Sequence, residues 1–256
     1  MSGLNENGTY TFLVELADDA LILGHRLSEW CGHAPILEED IALTNIALDH
    51  VGRANALYQV AAEVEGAGRT VDDLAFLRDA SEFRNVNLVE LPNGDFAFTI
   101  LRLFFCSVHS QLLYRALCKS GQASLAGIAG RSIKESTYHV RHCSAWVERL
   151  GLGTEESRKR LVHALEELWP YKDELLVSSL PGLPVAPPEV EAGVAAIATE
   201  WHAVIEKALR GASLSIPESE PVTMVGQGRK GIHTEFLGHL LAEMQILPRS
   251  HPGASW

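Results

Sequence analysis

Three acidic residues and one histidine have the types and spacing of a paired-metal site in a helical bundle. Asp49 lies 31 residues after Asp18, about the span of a helical hairpin, and His139 lies four residues after Glu135. Two iron ions held between four helices need a Glu from each of two helices and a Glu-x-x-His pair from each of the other two. Carboxylates supply negative charge and bridging oxygens, and imidazoles complete each coordination shell.

The pattern is incomplete at both histidine positions and on one helix. The residue three after Asp49 is Gly52, which offers no ligand atom, and the residue three after Glu135 is Tyr138. The stretch 96–134 contains no Asp or Glu, although the remaining acid should lie within it. The sequence therefore predicts a degenerate site, with no metal bound by this chain and no catalytic residues.

Two interpretations of the remaining acids stay open. Asp18, Asp49 and Glu135 are either helix-face or buried hydrogen-bonding residues, with Arg53 one turn after Asp49 as its ion-pair partner. Alternatively, they are a remnant that still holds a water network or a stray metal ion. His139, on the buried edge of a helical pattern, is more typical of an interior histidine than of a ligand.

A glycine-rich segment at 225–231 carries two adjacent cations, Arg229 and Lys230, just before a predicted helix. Glycines, cations and a helix N-terminus together could hold an anion such as a phosphate. The order of residues differs from that of a phosphate-binding P-loop. The segment is therefore either a connecting or interface loop or a site for an anion such as a CoA phosphate.

Long helical patterns separated by glycine and proline turns must position these residues. They extend over 9–31, 34–65, 95–119, 122–150, 154–176, 188–211 and 233–247, with one or two shorter helices within 72–85. The sequence predicts an all-α fold in a single domain over 1–256. This fold is a ferritin-like long four-helix bundle at about 9–150, followed by additional C-terminal helices at about 154–256.

The second long helix combines apolar residues on nearly all sides with one polar stripe. Asn45, Asp49 and Arg53 form that stripe, which faces either a solvent-exposed groove or a polar bundle centre. The second and third long helices are both rich in apolar residues. We expect them to offer the pairing surface for a partner protein.

Composition and charge exclude several classes of protein. A formal net charge of −12 argues against nucleic acid as a partner, because phosphate contact needs a basic surface. No basic and apolar secretory leader begins the sequence, and the most apolar run, 100–108, is too short to cross a bilayer. The four cysteines show no C-x-x-C spacing and are expected to be reduced. We expect a cytoplasmic protein that binds neither membrane nor nucleic acid.

Four stretches of the chain resemble a known family. They read LSEWCGHAP at 27–35, LVELPNGDF at 88–96, KESTYH at 134–139 and GIHTEFLGHLLAEMQ at 231–245. Together they resemble the structural subunits of the bacterial phenylacetyl-CoA epoxidases, the multicomponent ring-oxygenating enzymes of aerobic phenylacetate breakdown. The resemblance covers essentially the whole chain.

The resemblance implies a ferritin-like structural subunit paired with a homologous catalytic subunit. That partner would hold the di-iron centre and bind phenylacetyl-CoA, while a separate reductase with a flavin and an iron–sulfur cluster would deliver electrons from NADPH to activate O₂. This chain would carry no cofactor and would form a hetero-oligomer, or a homodimer when isolated. The vestigial metal-site positions would be Asp18, Asp49, Gly52, Glu135, Tyr138 and His139.

Two other functions are compatible with the residues. The chain could be a metal-dependent oxygenase in its own right, with an irregular site formed by Asp49, Glu135, His139 and His142. It could also bind a CoA thioester through Arg229 and Lys230. The iron content of the purified chain distinguishes the first alternative, and CoA affinity after replacement of the two cations distinguishes the second.

Overall fold

A computed structural model describes residues 2–176, 188–217 and 227–254. The proline-rich connection at 181–187 and the first two residues of the predicted 225–231 loop lie outside this part of the chain. The described residues form α-helices with short 3-10 turns and no strand. The prediction of an all-α fold is therefore confirmed for them.

The helices are named in chain order. They are α1 (Ser2–Ser28), α2 (Leu37–Glu65), α3 (Val71–Phe76), α4 (Asn87–Glu90), α5 (Phe96–Leu117), α6 (Ala123–Leu152), α7 (Glu155–Leu168), α8 (Lys172–Leu176), α9 (Pro188–Ala195), α10 (Ile197–Gly211) and α11 (Glu235–Ser250). Short 3-10 turns at Ala80–Glu82, Trp169–Tyr171 and Gly228–Lys230 connect some of them.

Four long helices form the bundle that the sequence predicts. The short connection after α1 returns the chain so that α1 and α2 pack as one hairpin, and α5 and α6 form the second hairpin. The two hairpins contact each other along α2 and α6. Local signals set the helix ends: Asp95 caps α5 by accepting the Phe98 N–H, and Gly66 ends α2 in the left-handed conformation.

Two predicted helices are each divided into two. The predicted helix at 154–176 breaks at the 3-10 turn Trp169–Tyr171, because Pro170 lacks an N–H group and ends the regular hydrogen bonding of α7. The predicted helix at 188–211 is interrupted at Ala196, between α9 and α10. Both breaks let short helices change direction around α5.

The C-terminal helices cover α5. Helices α7, α8, α9 and α10 all pack against it. The indole of Trp201 lies against the Phe105 ring and donates to the Phe105 carbonyl oxygen at 3.0 Å. Within the described residues α5 alone has the length and composition of a membrane span, but 72% of its apolar window is buried, as in the core helix of a globular protein. The C-terminal helices therefore leave α5 less exposed than α2, and the pairing surface expected on these two helices remains a prediction.

Candidate functional site

The polar centre of the bundle is the place where a ferritin-like protein would hold metal. A small cavity of about 30 Å³ lies there. Its polar lining comes from Asp19 on α1, His50 and Arg53 on α2, and Cys106, His109, Ser110 and Tyr114 on α5. Asp18 and Asp49, each one residue earlier, do not line this cavity. The cavity is lined on α1 and α2 by the residues that follow the two predicted aspartates, and no residue of α6 lines it.

Asp18 has a structural position away from the cavity. Its carboxylate is completely buried and accepts hydrogen bonds from the Tyr58 hydroxyl, from the Arg78 guanidinium and, at 2.7 Å, from the Arg84 N–H. Burial, followed by the negative charge of Asp18, raises the pKa of Tyr58 well above its ordinary value, so the phenol stays protonated and donates. Asp18 thus anchors the connection that follows α3 to the bundle.

Asp49 and His139 do come together, in a pair that joins α2 to α6. Nε2 of His139 lies 2.9 Å from Oδ2 of Asp49, which remains partly exposed, whereas His139 is buried. The His139 ring stacks on His50, with centroids 5.6 Å apart and planes 22° apart. Burial, then the charges of Arg53 and His139, lowers the pKa of His50 well below its ordinary value. Two stacked imidazoles therefore occupy the centre, with His50 neutral.

Glu135 pairs with Arg53. Nη2 of Arg53 donates to Oε2 of Glu135 at 3.1 Å, and the guanidinium lies 5.0 Å from the centre of the Tyr114 ring. The Arg53 side chain is only 2% exposed. The expected pair between Asp49 and Arg53 is not formed, since these residues bond instead to two different residues of α6. A fixed positive charge consequently lies in the bundle centre.

Gly52 and Tyr138 face away from the centre. Gly52 is exposed, with no atom within 4 Å of the position that a Cβ would take, and Tyr138 is also exposed. Tyr138 stacks on His142, whose Nε2 lies 3.0 Å from Glu39. The four residues of the suggested irregular oxygenase site are therefore divided among three separate contacts: Asp49 with His139, Glu135 with Arg53, and His142 with Glu39.

The residues at the centre do not fit a di-iron group. Among the described residues no three His, Cys, Asp or Glu side chains converge in a way that could hold a metal ion. Asp19 is paired with Arg229, and the neutral side chains of His50 and His109 bring no negative charge. Burial lowers the pKa of His109 to about 3. Because a di-iron centre needs several carboxylates, a guanidinium and neutral imidazoles cannot replace its ligands.

The positions facing the centre carry a signal that the sequence already contains. Ser132, Ser136, His139 and Cys143 are all buried and follow one another at helical spacing on α6. On α2 the corresponding buried pair is His50 and Arg53. Both pairs, Ser136–His139 and His50–Arg53, have the three-residue spacing of a Glu-x-x-His motif. The spacing is visible in the sequence, but on α2, which is apolar on nearly all sides, it does not show that His50 and Arg53 are the residues facing the centre.

Arg229 is bound within the protein. Its guanidinium donates to Asp19 at 2.6 Å, to the Arg84 carbonyl oxygen at 2.7 Å and to the Glu15 carbonyl oxygen at 3.0 Å. Gly231 has a φ of 77°, and a Cβ there would overlap the Ser81 carbonyl oxygen, so this glycine permits close contact with the connection before α4. The described part of the predicted loop therefore fastens the C-terminal region to α1.

Lys230 differs from Arg229 in that its side chain is exposed. The helix that follows, α11, begins at Glu235, five residues after Lys230, the last residue of the 3-10 turn. Of the two cations that were predicted to contact an anion, Arg229 is bound to Asp19 and Lys230 is exposed at the surface. An anion site at 225–231 thus lacks the guanidinium on which the prediction depends.

Comparison with known proteins places the chain in a family. The family model described as phenylacetic acid catabolic protein matches residues 1–256. The chain is also 40% identical over 253 residues to one of the subunits of the 1,2-phenylacetyl-CoA epoxidase of Escherichia coli strain K12. That alignment covers 99% of this chain and 100% of the E. coli protein. The chain is therefore a member of the phenylacetic acid catabolic protein family.

Proposed function

We propose that this chain is the non-catalytic structural subunit of a phenylacetyl-CoA 1,2-epoxidase in aerobic phenylacetate breakdown. The similarity to a subunit of the E. coli epoxidase over the full length of both proteins supports this assignment. The observation that carries the non-catalytic role is the Arg53–Glu135 pair, which fixes a guanidinium where a catalytic relative would need carboxylate ligands.

The proposal assigns the chemistry to other components. A homologous subunit would hold the di-iron centre and bind phenylacetyl-CoA, and a reductase carrying a flavin and an iron–sulfur cluster would deliver electrons from NADPH. The complex would act in the cytoplasm. This chain would stabilise and position the di-iron subunit, and it would form a homodimer when isolated.

Co-expression with the homologous iron-binding subunit of the same genome tests the proposal. The two chains should co-purify, and with the reductase and the remaining components they should oxygenate phenylacetyl-CoA. Omission of this chain should abolish that turnover. Equal turnover without this chain, or iron-dependent turnover by this chain alone, would overturn the proposal.

A set of variants separates a structural role from a catalytic one. Asp49→Asn, Glu135→Gln and His139→Gln each remove a group that could ligate iron while keeping the approximate shape. In a structural subunit, turnover of the folded complex should change by no more than about twofold, whereas loss of a true ligand typically costs on the order of 100-fold. The matched control is Glu63→Gln, an exposed acid on α2, the helix that carries Asp49.

A further inference from the structure

Exposed apolar residues are concentrated along α2. Leu37 is 72% exposed and Leu48 is 63% exposed, and Ile41 and Val51 are exposed beside them. These positions follow helical spacing and form one stripe. Since residues 8–28 of α1 are mostly buried and α5 is covered by the C-terminal helices, α2 is the long helix with the most exposed apolar surface among the residues whose burial the structure describes.

Gly52 lies within this stripe and has no role in the packing of its own chain. A Cβ at this position would meet no atom within 4 Å. Glycine in the interior of a helix costs about 0.5–1 kcal/mol relative to alanine. A glycine at this point of α2 would allow the backbone of another protein to approach the helix closely.

Helix α6, which packs beside α2, adds a basic row to the same face. Arg131, Lys134 and Arg141 are exposed and follow one another at spacings of three and seven residues. None of the three forms an ion pair with another described residue. In a chain with a net charge of −12, this row is complementary to an acidic surface on another protein.

The size of the face suits a stable protein interface. With 29 and 30 residues, α2 and α6 are each roughly 45 Å long at about 1.5 Å per residue. Two such helices about 8–10 Å apart present a face roughly 20 Å wide, or on the order of 900 Å². A standard interface buries about 800 Å² on each partner.

We propose that the α2–α6 face, defined by Leu37, Ile41, Leu48, Gly52 and the basic row Arg131, Lys134 and Arg141, is the surface on which the iron-binding homologue docks. Its facing pair of long helices would carry an apolar ridge that fits against Gly52 and a row of acids opposite α6. This inference rests on the proposed function and adds to it the surface through which the two subunits pair.

Two variants test the face without disturbing the fold. Gly52→Leu adds a side chain where the isolated chain has open space, and Leu48→Arg charges an exposed position. The matched control is Gly238→Leu, at an exposed glycine of α11 with no atom within 4 Å of its Cβ position. Affinity for the purified iron-binding homologue is measured by biolayer interferometry, with circular dichroism melts of each isolated chain.

Both face variants should melt no lower than the wild type yet bind the homologue at least about tenfold more weakly, a loss of roughly 1.4 kcal/mol. The control should bind like the wild type. Unchanged affinity of both face variants would overturn the docking surface while leaving the proposed function intact. Loss of self-association alone would assign the face to a second copy, and failure of the wild type to bind would overturn both proposals.

Discussion

The guanidinium of Arg53 donates to the carboxylate of Glu135 at 3.1 Å, across the contact between α2 and α6. This pair lies beside the stacked rings of His50 and His139, in the region that holds metal in di-iron bundles. An internal ion pair therefore joins the two helical hairpins where metal–ligand bonds would join them in a catalytic relative. The contacts Arg53–Glu135 and Asp49–His139 both connect α2 to α6.

Replacement of Arg53 should show how much the Arg53–Glu135 pair contributes to the free energy of unfolding. Arg53→Leu leaves Glu135 without its partner in a site where it is only 18% exposed, so the free energy of unfolding should fall by about 1–3 kcal/mol. The double variant Arg53→Leu, Glu135→Leu should recover most of this loss. Urea unfolding followed by circular dichroism measures both, and equal losses in the single and double variants would contradict the account.

A larger effect is expected at Arg78, which neutralises the completely buried Asp18. Arg78→Met leaves a buried carboxylate without its cation and should cost about 3–5 kcal/mol in the free energy of unfolding. Addition of Asp18→Asn should restore part of that stability, because the amide oxygen can still accept the Arg84 N–H. Urea unfolding is again the measurement, and a loss below about 1 kcal/mol would show that the Arg78–Asp18 pair contributes little to stability.

His50 should make the protein sensitive to acid. Its pKa is lowered in the folded state, so its stabilising contribution is complete above the unfolded value near 6.5 and is lost as the pH falls below it. Each pH unit below 6.5 should cost up to about 1.4 kcal/mol. His50→Phe keeps an aromatic ring against His139. In this variant the free energy of unfolding, measured by urea titration between about pH 7.5 and 5, should depend less on pH than in the wild type. The same pH dependence in both proteins would contradict the role assigned to His50.

His233 should have the opposite dependence. Burial alone lowers the pKa of this imidazole, but the hydrogen bond and charge of Glu90, together with the Phe83 carbonyl oxygen, raise it overall. Its contribution is therefore complete below about pH 6.5 and is lost as the pH rises through the raised folded pKa. His233→Leu should destabilise the protein more at about pH 6 than at about pH 8.5 in the same unfolding assay. A penalty that grows with pH would contradict the assignment.

The sequence predicts where the helices begin and end better than it predicts which side of each helix faces the bundle centre. Helix length and turn residues identify the four bundle helices, because glycine and proline mark their ends. Adjacent residues on a helix differ by about 100°, so an apolar helix such as α2 does not reveal whether Asp49 or His50 faces the centre. On α1 the two alternatives are Asp18 and Asp19. Arg78, in the connection after α3, binds Asp18, and Asp19 is the residue that lines the cavity.

Arg229 shows a second limit of the sequence. Glycines and cations before a helix suggest an anion site, but the cation is bound to Asp19, which precedes it by 210 residues. No local pattern encodes a contact between such distant parts of the chain. Only the folding of the C-terminal region onto α1 determines it.

The iron content of the purified chain tests whether this subunit itself binds the metal. The chain is expressed alone in iron-replete medium, purified without chelator, and analysed for iron per chain by inductively coupled plasma mass spectrometry. Because Arg53 and the neutral imidazoles of His50 and His109 lie at the bundle centre, we expect far less than one iron per chain. The homologous subunit, expressed and purified separately in the same way, should carry iron. Two irons per chain, lost when Glu135 and His139 are replaced, would contradict the account.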